Sequence, residues 1–118
     1  MTTTFIPPTQ MGLVGNTQTI TSNYSIDSLA YPDFVILCSF PGSSRTVTMP
    51  APTLGRMLMV KDVTGNAGAG SSIALAPFAS ETIDGASSYT INVNYGGLLL
   101  GSDGTNWFVL AAYNGTVI

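Results

Sequence analysis

The sequence predicts an all-β fold, a small antiparallel β-sandwich or jelly-roll-like domain. Three observations carry that expectation. Gly, Pro, Thr and Ser interrupt the chain every few residues, so no window of helical length is free of them. The segments between them are short runs of β-branched, aromatic and aliphatic residues, the types that suit a pleated, half-buried surface. These runs and the turn signals between them recur at about 8–12-residue spacing, the rhythm of a sandwich or jelly roll.

Strands are expected near residues 17–21, 34–40, 45–49, 56–62, 72–76, 89–94, 97–100 and 107–113. Turn signals separate them at Pro41-Gly42, Thr53-Leu54-Gly55, residues 65–70, Asp84-Gly85, Asp103-Gly104 and Asn114-Gly115. Several runs alternate with period two, as a half-buried strand requires. Arg45, Val47 and Met49 share one face, with Thr46 and Thr48 on the other. Tyr89, Ile91 and Val93 face the core, with Thr90, Asn92 and Asn94 outward. Trp107 and Val109 oppose Phe108 and Leu110, and Trp107 is expected to be buried. Phe34–Leu37 and Leu98–Leu100 do not alternate, and a strand apolar on both faces is covered on both. Leu98, Leu99 and Leu100 are therefore candidate intersubunit contacts; the alternative is a central strand covered by its own loops. The first sixteen residues read as an extended docking arm, because prolines stretch Phe5-Ile6-Pro7-Pro8 and Met11-Gly12-Leu13-Val14-Gly15 is apolar without periodicity. Phe5, Ile6, Pro7, Pro8, Leu13 and Val14 are its candidate contacts with a neighbour, unless the arm folds back on residues 17–118.

The 118 residues fit one domain. The charge count is low: Lys+Arg is 3 and Asp+Glu is 6, so charged residues make up 8% of the chain. Soluble domains usually carry roughly 25%. Either the exterior is neutral and rich in Thr, Ser and Asn, or copies of the chain cover much of it, or both. A helical bundle or coiled coil is excluded for want of Lys, Glu and Arg. Nucleic acid is not an expected partner, since Arg45, Arg56 and Lys61 are the whole basic inventory. The same shortage argues against an anionic membrane surface, and no apolar run approaches the roughly 18 residues of a membrane helix. The N-terminus lacks the basic start and apolar stretch of a signal peptide. Cys38 is the only cysteine, which excludes an intrachain disulfide; within an apolar run it reads as a buried structural thiol.

Catalysis has little support. The chain has no histidine, the commonest general base, and Cys38 consequently has no imidazole to activate it. Paired carboxylates could still act on a polysaccharide, but Asp27, Asp33, Asp62, Glu81, Asp84 and Asp103 read mainly as turn-formers that bond their own backbone. No cofactor and no metal is expected. The segments Asp62-Val63-Thr64-Gly65-Asn66 and Asp103-Gly104-Thr105-Asn106 carry oxygen ligands without the density of a calcium loop. The glycines of residues 65–70 lack the Lys and following helix of a phosphate loop and read as a hairpin tip. Tyr24, Tyr31, Tyr89, Tyr95, Tyr113 and Trp107 could stack on sugars if exposed together.

Taken in order, the strand-and-turn phrases resemble a domain of bacteriophage and other viral fibre, spike and capsid-decoration proteins. The matching phrases are Tyr24-Ser25-Ile26, Phe34–Leu37, Val47-Thr48-Met49-Pro50, Gly55-Arg56, Val60-Lys61-Asp62 with Gly65-Asn66-Ala67, and Ile73–Pro77. They continue with Thr82-Ile83-Asp84-Gly85, Tyr95, Leu100 and Ser102-Asp103-Gly104 leading to Trp107, and cover roughly residues 17–118. Met49-Pro50 stands where the pattern has Leu-Pro. The resemblance implies a trimeric knob on the virion surface, with Ile83, Asp84, Gly85, Asp103, Gly104 and Trp107 as structural turn and core positions. Since 118 residues leave little space for a fibre shaft, a non-enzymatic capsid decoration, cement or short spike protein is expected. It would be made in a host cytoplasm and dock through residues 1–16 on other virion proteins such as the major capsid protein. Two alternatives are a tail-fibre tip that binds a host surface glycan or other receptor, and a carbohydrate-binding module.

Overall fold

The computed structural model describes residues 16–26, 33–53 and 55–113. They form nine strands: β1 (Asn16–Ile20), β2 (Tyr24–Ser25), β3 (Asp33–Cys38), β4 (Arg45–Thr48), β5 (Met57–Asp62), β6 (Ile73–Ala76), β7 (Tyr89–Ile91), β8 (Gly97–Ser102) and β9 (Trp107–Tyr113). Among the described residues there is no helix. Eight strands fall on the expected segments, and β2 is too short to show any period. The strand expected over 89–94 stops at Ile91. There the chain turns, with Gly96 N–H donating to the Val93 carbonyl at 2.8 Å and Tyr95 at φ 59°.

The strands make two sheets, ordered β1-β3-β5-β8-β9 and β2-β4-β6-β7. Both are mixed, which corrects the expectation of an antiparallel fold. From β1 to β6 successive strands alternate between the two sheets. Each strand therefore returns to its sheet in its original direction, and β1-β3-β5 and β2-β4-β6 pair in parallel. Only the later pairs, β6-β7, β5-β8 and β8-β9, are antiparallel.

One hydrophobic core joins the two sheets. Ile36 and Cys38 of β3, Leu58 and Val60 of β5, and Leu98 and Leu100 of β8 come from the larger sheet. Val47 of β4, Ile73 and Leu75 of β6, and Ile91 of β7 come from the smaller. Each such side chain contributes roughly 1.5–3 kcal/mol on burial. Trp107 is fully buried, as its face of β9 predicts, and its Nε1 donates to the Pro50 carbonyl at 3.3 Å.

The turns follow the expected glycines and aspartates. Ile83 and Ala86 exchange both backbone hydrogen bonds at 2.9 Å around Asp84 and Gly85, at φ 50° and 81°. Two positive φ angles define a type I′ hairpin turn, which only Asp, Asn and Gly enter readily. The turn docks on β9: Asp84 N–H donates to the Trp107 carbonyl, Trp107 N–H donates to the Thr82 carbonyl, and Val109 N–H donates to Asp84 Oδ1. Ile83 is buried beside Trp107. Residues 83–85 and Trp107, distant in sequence, are thus one structural unit. The Asp103 carboxylate closes the β8–β9 hairpin by accepting from Thr105 and Asn106 N–H, both at 2.9 Å.

Candidate functional site

Asp62 is the most heavily bonded carboxylate among the described residues, and its role is structural. Its Oδ1 accepts from Thr64 N–H and Oγ1, both at 3.0 Å, and from Gly65 N–H at 3.2 Å. Its Oδ2 accepts from Ala67 N–H at 3.0 Å and Tyr95 N–H at 2.9 Å. Burial alone would raise its pKa, but the donors of Tyr95, Ala67 and Thr64 outweigh burial and hold it below the usual carboxylate value. Asp103 is likewise lowered, by the Asn106 and Thr105 donors. Asp33 is buried and accepts from the Tyr24 hydroxyl at 2.6 Å. Glu81 accepts from Ala79 N–H. Among the described residues no three His, Cys, Asp or Glu gather into a metal-binding group. Cys38 is buried; burial first, then the nearby Asp62 carboxylate, pushes its thiol up to about 12, which describes an inert core residue.

Among the described residues the aromatics divide between the core and the surface, where Tyr95 is exposed and shares the Lys61 ammonium with Tyr113. Trp107 is buried, and Tyr24 and Tyr89 pack against the core. Tyr31 lies outside the described residues. Tyr89 and Tyr113 border a half-open hollow of about 300 Å³ between the edges of β7 and β9, together with Asn92 and Thr90.

The feature that stands out is the outer face of the five-stranded sheet. Because Leu98 and Leu100 point inward into the core, Leu99 points outward, and strand register defines its neighbours. Val35, Met59, Leu99 and Ala111 lie side by side across β3, β5, β8 and β9. The next row is Leu37, Lys61, Gly97 and Tyr113, and a third is Met57, Gly101 and Phe108. Met59 and Phe108 are each 40% exposed, and Leu110 is 57% exposed. A bulge between Leu99 and Leu100 in the β8–β9 pairing sets Leu110 above Gly101, where a Cβ would meet Leu110 Cδ1 at 2.8 Å.

Lys61 is the single charged residue in these rows, and its ammonium has local polar and aromatic partners. Its Nζ donates to the Tyr95 carbonyl and lies 4.9 Å from the Tyr113 ring centroid. The outer face of the four-stranded sheet is different in kind. There Ser25, Thr46, Thr48, Ala74, Ala76 and Thr90 alternate with the inward core residues, and none is large or charged.

Of the sequence-predicted intersubunit contacts, only Leu99 is available at the surface. Leu98 and Leu100 are core, a correction that follows from strict alternation along β8. Met59, Phe108 and Leu110 were not grouped with Leu99 by sequence. The signal was there in β9, which is apolar on both faces, but the grouping needs the β5-β8-β9 pairing. The docking-arm candidates Phe5, Ile6, Pro7, Pro8, Leu13 and Val14 lie outside the described residues. Compared with known proteins, the chain matches no protein family and no curated sequence.

Proposed function

We propose that the chain is a non-enzymatic structural subunit of a virion exterior, a decoration, cement or short spike protein that assembles as a trimer of β-sandwich knobs. The observation that supports self-assembly most is the apolar outer face of β3, β5, β8 and β9, with Lys61 as the one charge in its three rows, in a chain with 8% charged residues. A contiguous exposed apolar patch of this kind marks an interaction surface. The virion setting rests on the ordered phrases from Tyr24 to Trp107. In keeping with them, Ile83-Asp84-Gly85 and Trp107 form one packed unit.

In this reading residues 1–16 attach the knob to other virion proteins such as the major capsid protein. The test is attachment itself. Purified particles carrying the full-length chain are compared with particles offered the chain lacking residues 1–16. The truncated chain is expected to fold and to be lost from the particle; attachment at normal stoichiometry would refute the docking role. A tail-fibre tip that binds a host glycan is the second reading. The hollow between β7 and β9, with Tyr89, Asn92 and Tyr113 at its wall, favours it. Saturable binding to a glycan array that is lost in Asn92→Ala would support that alternative.

A further inference from the structure

We infer that the outer face of the five-stranded sheet, centred on Leu99, is the surface by which one copy of this chain packs on another. The inference rests on the self-assembly reading above and names the interface within it. The first argument is relief. Leu99 and Met59 stand as neighbouring knobs on paired strands, while Lys61 and Leu110 lie over the side-chain-free Gly97 and Gly101. Beside these knobs are two apolar hollows of about 340 and 330 Å³. One is bordered by Met59, Leu99, Ala111 and Tyr113, the other by Met57, Gly101, Phe108 and Leu110. A surface with both projecting aliphatic side chains and apolar recesses can offer the first to one copy and the second to another, as three copies around a threefold axis require.

The second argument is charge. The chain carries net charge −3, so two copies meeting through an ordinary acidic surface would repel. No carboxylate stands in the three rows, Asp62 on β5 is turned inward and buried, and Asp103 only borders the far hollow, beside Arg56. The Lys61 ammonium stands in an end row, where it donates to the Tyr95 carbonyl and lies over the Tyr113 ring, so it belongs to the solvated rim of the contact and keeps its water.

The third argument is area. Four strands about 4.8 Å apart and three rows about 7 Å apart give a face on the order of 400 Å². A stable interface takes roughly 800 Å² from each partner. The face therefore forms the apolar centre of a contact whose polar rim comes from its borders, the arrangement interfaces commonly have.

The experiment uses the full-length chain. Light scattering gives the mass of wild type, Leu99→Asp, Met59→Lys and, as a control on the opposite sheet, Thr90→Asp, with circular dichroism to establish that each is folded. The expected result is an oligomeric wild type and Thr90→Asp, with at least a tenfold weaker association in both face variants. In parallel, a thiol reagent is applied to Ala111→Cys and Thr90→Cys, Cys38 being buried and inert. Ala111→Cys is expected to react at least tenfold more slowly in the assembled chain, a readout that does not depend on a disruptive substitution. An oligomer whose Ala111→Cys reacts as fast as Thr90→Cys would overturn this interface while leaving self-assembly standing. A wild-type monomer at every concentration would overturn self-assembly itself, and the face would then belong to another partner.

Discussion

Replacing Asp62 by asparagine tests the carboxylate that anchors the loop after β5. The carboxylate accepts five hydrogen bonds, three on Oδ1 and two on Oδ2. An asparagine keeps one acceptor oxygen and turns an NH2 group toward the other set of donors. At least two backbone N–H groups, those of Ala67 and Tyr95 or those of Thr64 and Gly65, then lose their acceptor. Each buried donor left unsatisfied costs about 1–3 kcal/mol. Water can reach part of the Thr64-Gly65 side, so the lower half of that range applies and the total is about 3 kcal/mol. For a domain of this size that lowers Tm by about 12 °C.

Urea unfolding followed by Trp107 fluorescence measures the loss, since Trp107 is the single tryptophan and is buried. Protein concentration is held fixed because association adds to apparent stability. The pH dependence has a definite sign. The folded pKa of Asp62 lies below its unfolded value, so its stabilisation is complete above about pH 4 and is lost as pH falls through the folded value. Wild type should weaken below about pH 4, and Asp62→Asn should weaken less over that window; Asp103, also held below the usual value, is present in both chains. A variant within about 0.5 kcal/mol of wild type at pH 7 would refute the assignment of Asp62 as the anchor of this loop.

Three other outcomes are expected. Gly65 and Gly85 both have positive φ, but a Cβ at Gly65 would meet the Tyr95 ring at 2.5 Å whereas at Gly85 it meets open space. Gly85→Ala should therefore cost about 1 kcal/mol from backbone strain alone, and Gly65→Ala at least about 2 kcal/mol; equal losses in the same urea assay would contradict the packing described. Leu100→Ala should destabilise by about 2–5 kcal/mol as a core truncation, and a loss near zero would place Leu100 outside the core. Cys38 should resist a thiol reagent at pH 8 in the native chain and react at once in urea; rapid native labelling would contradict its burial.

Much of the fold was legible in the sequence because alternation and turn chemistry are local. The runs around Val47, Ile91 and Trp107 announce their inward faces, and Asp84-Gly85 announces a turn that needs positive φ. Strand direction was not legible. A period-two pattern reads the same in parallel and antiparallel pairs, and only the passage of β1 to β6 between sheets makes their pairing parallel. The candidate site was half legible for the same reason. Leu99 could be singled out on β8, but its neighbours Met59 and Ala111 lie 40 residues before it and 12 after it and meet it only through register. Asp62 could be read as a turn residue from Thr64 and Gly65, yet its bond to Tyr95 spans 33 residues and leaves no local trace.

Self-assembly is the central claim, and the mass of the full-length chain in solution tests it most directly. Light scattering over a wide concentration range should give a concentration-independent mass of three times 12.2 kDa. A stable 12.2 kDa monomer throughout that range would contradict the account.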